Sequence, residues 1–137
     1  MILMKESMAA KLGIAPIARI VSQAATGCRP NIFGIGPAEA IRIALKRAGL
    51  SLNQMELIEI NEAFAAQVIA CERELNLSHD IVNVNGGAIA LGHALGNSGV
   101  RISITLLSEM KRRGMRYGVS SLCIGSGMGI ATIFEVI

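Results

Sequence analysis

Residues 81–113 read IVNVNGGAIALGHALGNSGVRISITLLSEMKRR, and the periodicity changes twice along them. The opening IVNV (81–84) alternates like a short strand. A run of five glycines and one histidine, with no charged side chain, occupies 83–99. From Ser98 the pattern predicts the longest helix of the chain, apolar on two adjacent stripes: Val100, Ile104 and Leu107, then Ile102, Leu106 and Met110. Strand, glycine loop and helix in that order make an α/β unit. Glycine is entropically costly to order, so such a run marks a turn or a close approach of backbone to another group. The histidine inside it, His93, is therefore either a packed loop residue or an imidazole on display.

The same reading extends outward in both directions. MKESMAAKL (4–12) predicts a short helix closed by Gly13. Pro16 opens an extended run, IARIVSQAATG (17–27). Pro37 suits the first position of a helix carrying Ile41, Ala44, Leu45 and Ala48 on one face, with Gly49 ending it. ELIEI (56–60) alternates like a strand, and the following helix places Phe64, Val68, Cys71 and Leu75 at helical spacing until Asn76 and Ser78 break it. YGVSSLCI (117–124) and GIATIFEVI (129–137) read as a closing β-hairpin around Gly125-Ser126-Gly127. The expected architecture is α/β, with a mixed five-stranded sheet covered by helices.

Composition narrows the function classes. The 137 residues are 52% hydrophobic and 17% charged, with a mean hydropathy of +0.52. One domain of this size has room for a real core, and the apolar excess points to burial against another protein surface. No stretch has the uninterrupted apolar length of a membrane span, and Met-Ile-Leu-Met-Lys lacks the order of a secretory signal. The net charge of +3 has its one dense cluster at Lys111, Arg112, Arg113 and Arg116, where cations suit the helix macrodipole. Aromatics at 3% offer no stacking platform, so nucleic acid is not an expected partner. Cys28, Cys71 and Cys123 form no CxxC pair and the histidines no helical HxxxH, so no metal is expected. Unpaired thiols point to a reducing, cytoplasmic compartment.

Three polar groups fall at strand ends, where α/β sheets build sites. Asn61 follows ELIEI, with Glu62 beside it. His93 lies in the loop after IVNV, and Cys123 ends YGVSSLCI. Taken singly, Asn61 fits a helix cap, Cys123 a core position and His93 a carbonyl partner. Together they place a thiol, an imidazole and an amide at equivalent topological positions, a set able to move protons and hold an oxyanion.

NEAFAAQ (61–67), NVNGGAIALGHALGNSG (83–99) and LCIGSGMG (122–129) closely resemble the three motifs of the thiolase C-terminal half, and GIGPAEAIRIALKRAGL (34–50) resembles the intervening helix. The resemblance implies one half of a five-layered α/β fold, with residues 1–15 ending the preceding half and 16–137 forming the C-terminal domain. It implies Claisen condensation of coenzyme A thioesters, or cleavage of 3-ketoacyl-CoA, with CoA thioester as substrate and no tightly bound cofactor. A residue like His93 activates the nucleophile and helps bind the thioester oxygen. One like Cys123 exchanges the proton at the α-carbon, and one like Asn61 holds a water of one oxyanion hole. The N–H at Gly125 contributes to the other, and Ala63 and Phe64 match positions flanking the pantetheine arm. The glycines then let a flat thioester reach the backbone beside His93.

The acceptor cysteine of the N-terminal half and the segment gripping the nucleotide end of CoA have no counterpart in this sequence. The implied partner is therefore an N-terminal thiolase half, with a homo-oligomer when complete. The other expectation is a catalytically silent thiolase-like association module. Ala94 stands where the family has Pro, Asn97 where it has Ala, and Ser126 where it has Gly. The first change loosens the His93 loop, and the last restricts a turn that favours positive φ.

Overall fold

The computed structural model describes all 137 residues. Its elements run α1 (Glu6–Leu12), β1 (Ala18–Gly27), a 3-10 segment (Pro30–Ile35), α2 (Gly36–Ala48), β2 (Leu57–Ile60), α3 (Ala65–Leu75), α4 (Ala88–Leu91), α5 (Ser98–Arg113), β3 (Tyr117–Ile124) and β4 (Met128–Val136). The strands form one mixed sheet in the order β1-β4-β3-β2. β4 pairs antiparallel with both β1 and β3, and β2 runs parallel to β3.

Period-two alternation decides which face each helix covers. Ile58 and Ile60 of β2 point into a core with Ile41, Ala44 and Leu45 of α2 and Val68 and Cys71 of α3. Leu57 points the other way, to Leu106 and Met110 of α5 and Phe134 of β4. The sheet thus has α2 and α3 on one face and α5 on the other. Of the two stripes on α5, Ile102, Leu106 and Met110 are buried, whereas Val100 and Ile104 are exposed. Ile20 and Met128, on the two strands farthest from β2, are exposed as well. No helix is long and apolar enough to cross a membrane.

The sheet has four strands rather than the expected five, because IVNV does not extend. Val82 makes a single parallel bridge to Ile58. At the next residue, Asn83, φ is 48°, and the chain turns away from the sheet. The Asn83 side chain stands in for the missing strand: Oδ1 accepts from the Ile60 N–H at 2.8 Å and Nδ2 donates to the Ile60 carbonyl at 2.8 Å. The β2 edge is satisfied there by an amide rather than by backbone. A second correction concerns Phe64, which is not on the buried face of α3. It precedes the helix in extended conformation and is 62% exposed.

The hairpin loop carries Ser126 at φ 70° and Gly127 at φ 87°. Left-handed backbone costs a residue with a Cβ about 1–2 kcal/mol, and glycine returns about 0.5–1 kcal/mol of that as ordering entropy. Ser126→Gly should therefore stabilise the chain by about 0.5–1 kcal/mol. Urea unfolding of both forms tests this, and a lower midpoint for the glycine variant would contradict it.

Candidate active site

The C-terminal end of β3 carries Cys123, and the turn behind it is pinned from the side. The Cys28 N–H donates to the Gly127 carbonyl at 2.7 Å, tying the end of β1 to the hairpin loop. Cys123 is half-buried, and its thiol is pushed up, by burial first and by the neighbouring Cys28 thiol second. It is therefore a neutral proton donor at pH 7. Cys71 is raised further, to about 11, by burial. Its Sγ–H points to the Gly34 carbonyl at 3.3 Å, which makes it a packing thiol.

His93 follows α4, a single turn built inside the glycine run. The loop is anchored from β2 by Glu62, whose Oε2 accepts from the Ile89 N–H at 2.9 Å and whose Oε1 accepts from Asn83 Nδ2 at 3.4 Å. A Cβ at Gly87 would fall on that carboxylate, so a side chain there would push the Glu62 tip away from the Ile89 N–H. At the far end of the loop, His93 Nδ1 lies 2.6 Å from Ser98 Oγ.

His93, Cys123 and Gly125 line one cavity of about 500 Å³, together with Ser98, Ser120 and a largely apolar remainder that includes Leu122. Asn61 is fully buried at the end of the adjacent strand, where its N–H donates to the Ser121 carbonyl at 2.9 Å. It does not line the cavity, nor do half-buried Ala63 and exposed Phe64. The structure thus brings His93, Cys123 and Gly125 to one cavity and places Asn61 one residue beyond the Ile60–Ser121 pair of the β2–β3 ladder, level with Leu122 and next to Cys123 in strand register.

A buried polar layer lies under this site. Glu59, 1% exposed, faces Arg101 of α5 with Oε2 3.5 Å from Nη1. The Glu59 carboxylate, the Arg101 guanidinium and the Asn61 amide make no hydrogen bond within the chain. Burial raises the Glu59 carboxyl to about 7, against the pull of Arg101 and with help from Glu62. An acid whose folded pKa exceeds its unfolded value holds its proton longer when folded. The resulting stability is complete below pH 4.5 and is lost as pH rises to about 7. Between those limits the chain should lose up to about 1.4 kcal/mol per pH unit from this group. Urea melts of the wild type and Glu59→Gln across that range test it, and equal slopes would refute the assignment. The pairing was not legible in the sequence, since Glu59 and Arg101 meet only when α5 packs on β2.

The chain matches the family described as "Thiolase, C-terminal domain" over residues 14–136. It belongs to the thiolase family. Relatives include 3-ketoacyl-CoA thiolases of Klebsiella pneumoniae, 52% identical, and Yersinia enterocolitica, 57% identical, each over 98% of this chain. The thiolase domain described here spans 36% of the length of those relatives. It superposes on the Bacillus anthracis acetyl-CoA acetyltransferase with a TM-score of 0.95 at 48% identity, over 98% of this chain and 34% of that one. Human mitochondrial 3-ketoacyl-CoA thiolase in complex with CoA gives 0.95 at 55% identity, over 96% of this thiolase domain and 34% of the human chain.

Proposed function

We propose that this domain supplies the acid–base groups of an acyl-CoA thiolase, working with an N-terminal half that carries the nucleophilic cysteine. The observation that carries the reading is the convergence of His93, Cys123 and Gly125 on one cavity. His93 takes the proton from the nucleophile of the other half as that thiolate attacks the thioester. Cys123 gives or takes the proton at the α-carbon as the carbon–carbon bond breaks or forms. The Gly125 N–H and a water held by Asn61 stabilise the thioester oxygens, and Ala63 and Phe64 flank the pantetheine arm. Coenzyme A thioester is substrate here, and the reading requires no tightly bound cofactor.

Residues 1–15 belong, in this reading, to the end of the N-terminal half, and 16–137 form the C-terminal domain. The exposed apolar side chains Val100 and Ile104 of α5 and Ile20 of β1 support a seat for that half over the open part of the sheet. The completed enzyme is a homo-oligomer, and the three free thiols suit the reducing cytoplasm. The test is steady-state turnover of acetoacetyl-CoA and CoA by the chain alone and with a thiolase N-terminal half added. Turnover should be undetectable alone and appear on mixing. Association without turnover would favour a silent module, and turnover by the chain alone would overturn the division of labour.

A further inference from the structure

Ser98 opens α5 and is 3% exposed, yet its hydroxyl is in close contact with two polar atoms. Oγ lies 2.6 Å from His93 Nδ1 and 3.0 Å from the Ala94 carbonyl oxygen. The carbonyl also accepts the backbone N–H groups of Asn97 at 3.0 Å and Ser98 at 2.8 Å. It has no hydrogen of its own to offer. An O···O contact at 3.0 Å is attractive only with a proton between the atoms, and so is an N···O contact at 2.6 Å. A serine hydroxyl contains one hydrogen. If it points at Nδ1, two oxygens with bare lone pairs face each other in a buried place. If it points at Ala94, the other contact must take its hydrogen from the imidazole. Only the second arrangement puts a proton in both gaps.

We propose that Ser98 is a positioning residue that holds neutral His93 as the Nδ1–H tautomer, leaving Nε2 as the bare acceptor of the ring. Free imidazole side chains in water favour the opposite tautomer, so the serine makes a measurable difference. The catalytic meaning rests on the function proposed above, because a ring that takes a proton from a thiol needs an unprotonated nitrogen at the cavity. The tautomer itself is independent of that reading. Ser98 also explains how His93 is oriented without proline at position 94: the ring is tied to α5 through its side chain.

The experiment is long-range ¹H–¹⁵N correlation of the imidazole in the full 137-residue chain, at a pH where the ring is neutral. The chain is measured in its complex with the N-terminal half if it self-associates. His79→Gln removes the other histidine, whose Nδ1 meets Glu72 Oε1 at 2.8 Å, so that one ring remains. In the wild-type site, Nδ1 should resonate in the protonated range and Nε2 in the unprotonated range. Ser98→Ala should reverse the two, and Ser98→Thr, which keeps the hydroxyl, should restore the original pattern. Nε2 carrying the proton in the wild-type site would overturn the proposal, as would an unchanged pattern in a folded Ser98→Ala chain. If Ser98→Ala does not fold, the wild-type and threonine spectra decide alone. In the assembled enzyme Ser98→Ala should lower kcat about 10–100-fold with little change in KM, and Ser98→Thr should recover it. An Nδ1–H ring in an assembly without turnover would count against the proposed function and leave the tautomer assignment standing.

Discussion

Cys123→Ala should cut carbon–carbon bond formation about 10²–10⁴-fold in the enzyme completed by an N-terminal half, while leaving acylation of its nucleophile almost unchanged. The asymmetry follows from what each group is asked to do. Cys123 is held neutral by burial, which suits the proton exchange with carbon proposed for it, while the first attack is assigned to the cysteine of the other half. His93→Ala should be slow in both steps, because in the proposed function the imidazole serves the nucleophile and the thioester oxygen alike. Single-turnover acylation, followed separately from condensation, separates the two cases. Equal losses in both steps for both variants would show that the two residues act as one unit and that the assigned roles are wrong. Cys71→Ala gives the contrast. It removes a thiol raised to about 11 that bonds the Gly34 carbonyl, and its cost should appear in stability while the ratio of the two steps stays fixed.

How far the sequence anticipates this arrangement depends on the range of the interactions involved. The apolar spacing along 36–48 and 98–113 was enough to place α2 and α5, because helix periodicity is local and both bury one clear stripe. The second stripe of α5 was legible too, although only the structure shows Val100 and Ile104 left exposed. IVNV misled for a physical reason: its alternation is strand-like, but the Asn83 side chain binds the Ile60 backbone on both sides and ends the pairing. Phe64 fits the spacing of α3, yet it lies before the first helical residue, where the spacing rule no longer applies. In the candidate site, residue type and strand-end position singled out His93, Cys123 and Asn61, of which the structure brings His93 and Cys123 to one cavity and leaves Asn61 off its lining. The parts that set their state were beyond reach. Glu59 and Arg101 are far apart along the chain, and nothing local marks them as a pair. The bond between Ser98 and His93 spans five residues, but it depends on a loop path that glycine leaves open rather than dictates.

Gly129→Ala should destabilise the chain by about 3 kcal/mol or more, beyond the ordinary cost of an overpacked core. Gly129 sits at the start of β4, paired with Thr26 on one side and Cys123 on the other. A Cβ added there would fall on the carbonyl group of Gly36 and 2.8 Å from the Pro37 nitrogen. The contact is reciprocal, since a Cβ on Gly36 would meet the Met128 carbonyl oxygen at 2.7 Å. These obstacles are backbone, and backbone cannot rotate aside as a side-chain tip can. Either α2 moves off the sheet, opening the core around Ile41, Ala44 and Leu45, or β4 moves and takes the hairpin with it. The second route displaces Cys123 and Gly125 from His93, so even a folded variant should lose activity in the completed enzyme. Gly99→Ala is the matching control: an added methyl at that helical position meets nothing within 4 Å, and alanine favours the helix by up to about 1 kcal/mol. Urea unfolding of both variants gives the comparison. A Gly129→Ala midpoint within error of the wild type would mean that α2 and β4 can separate without cost. Their close approach would then be no part of what holds the hairpin that carries Cys123 and Gly125 in place.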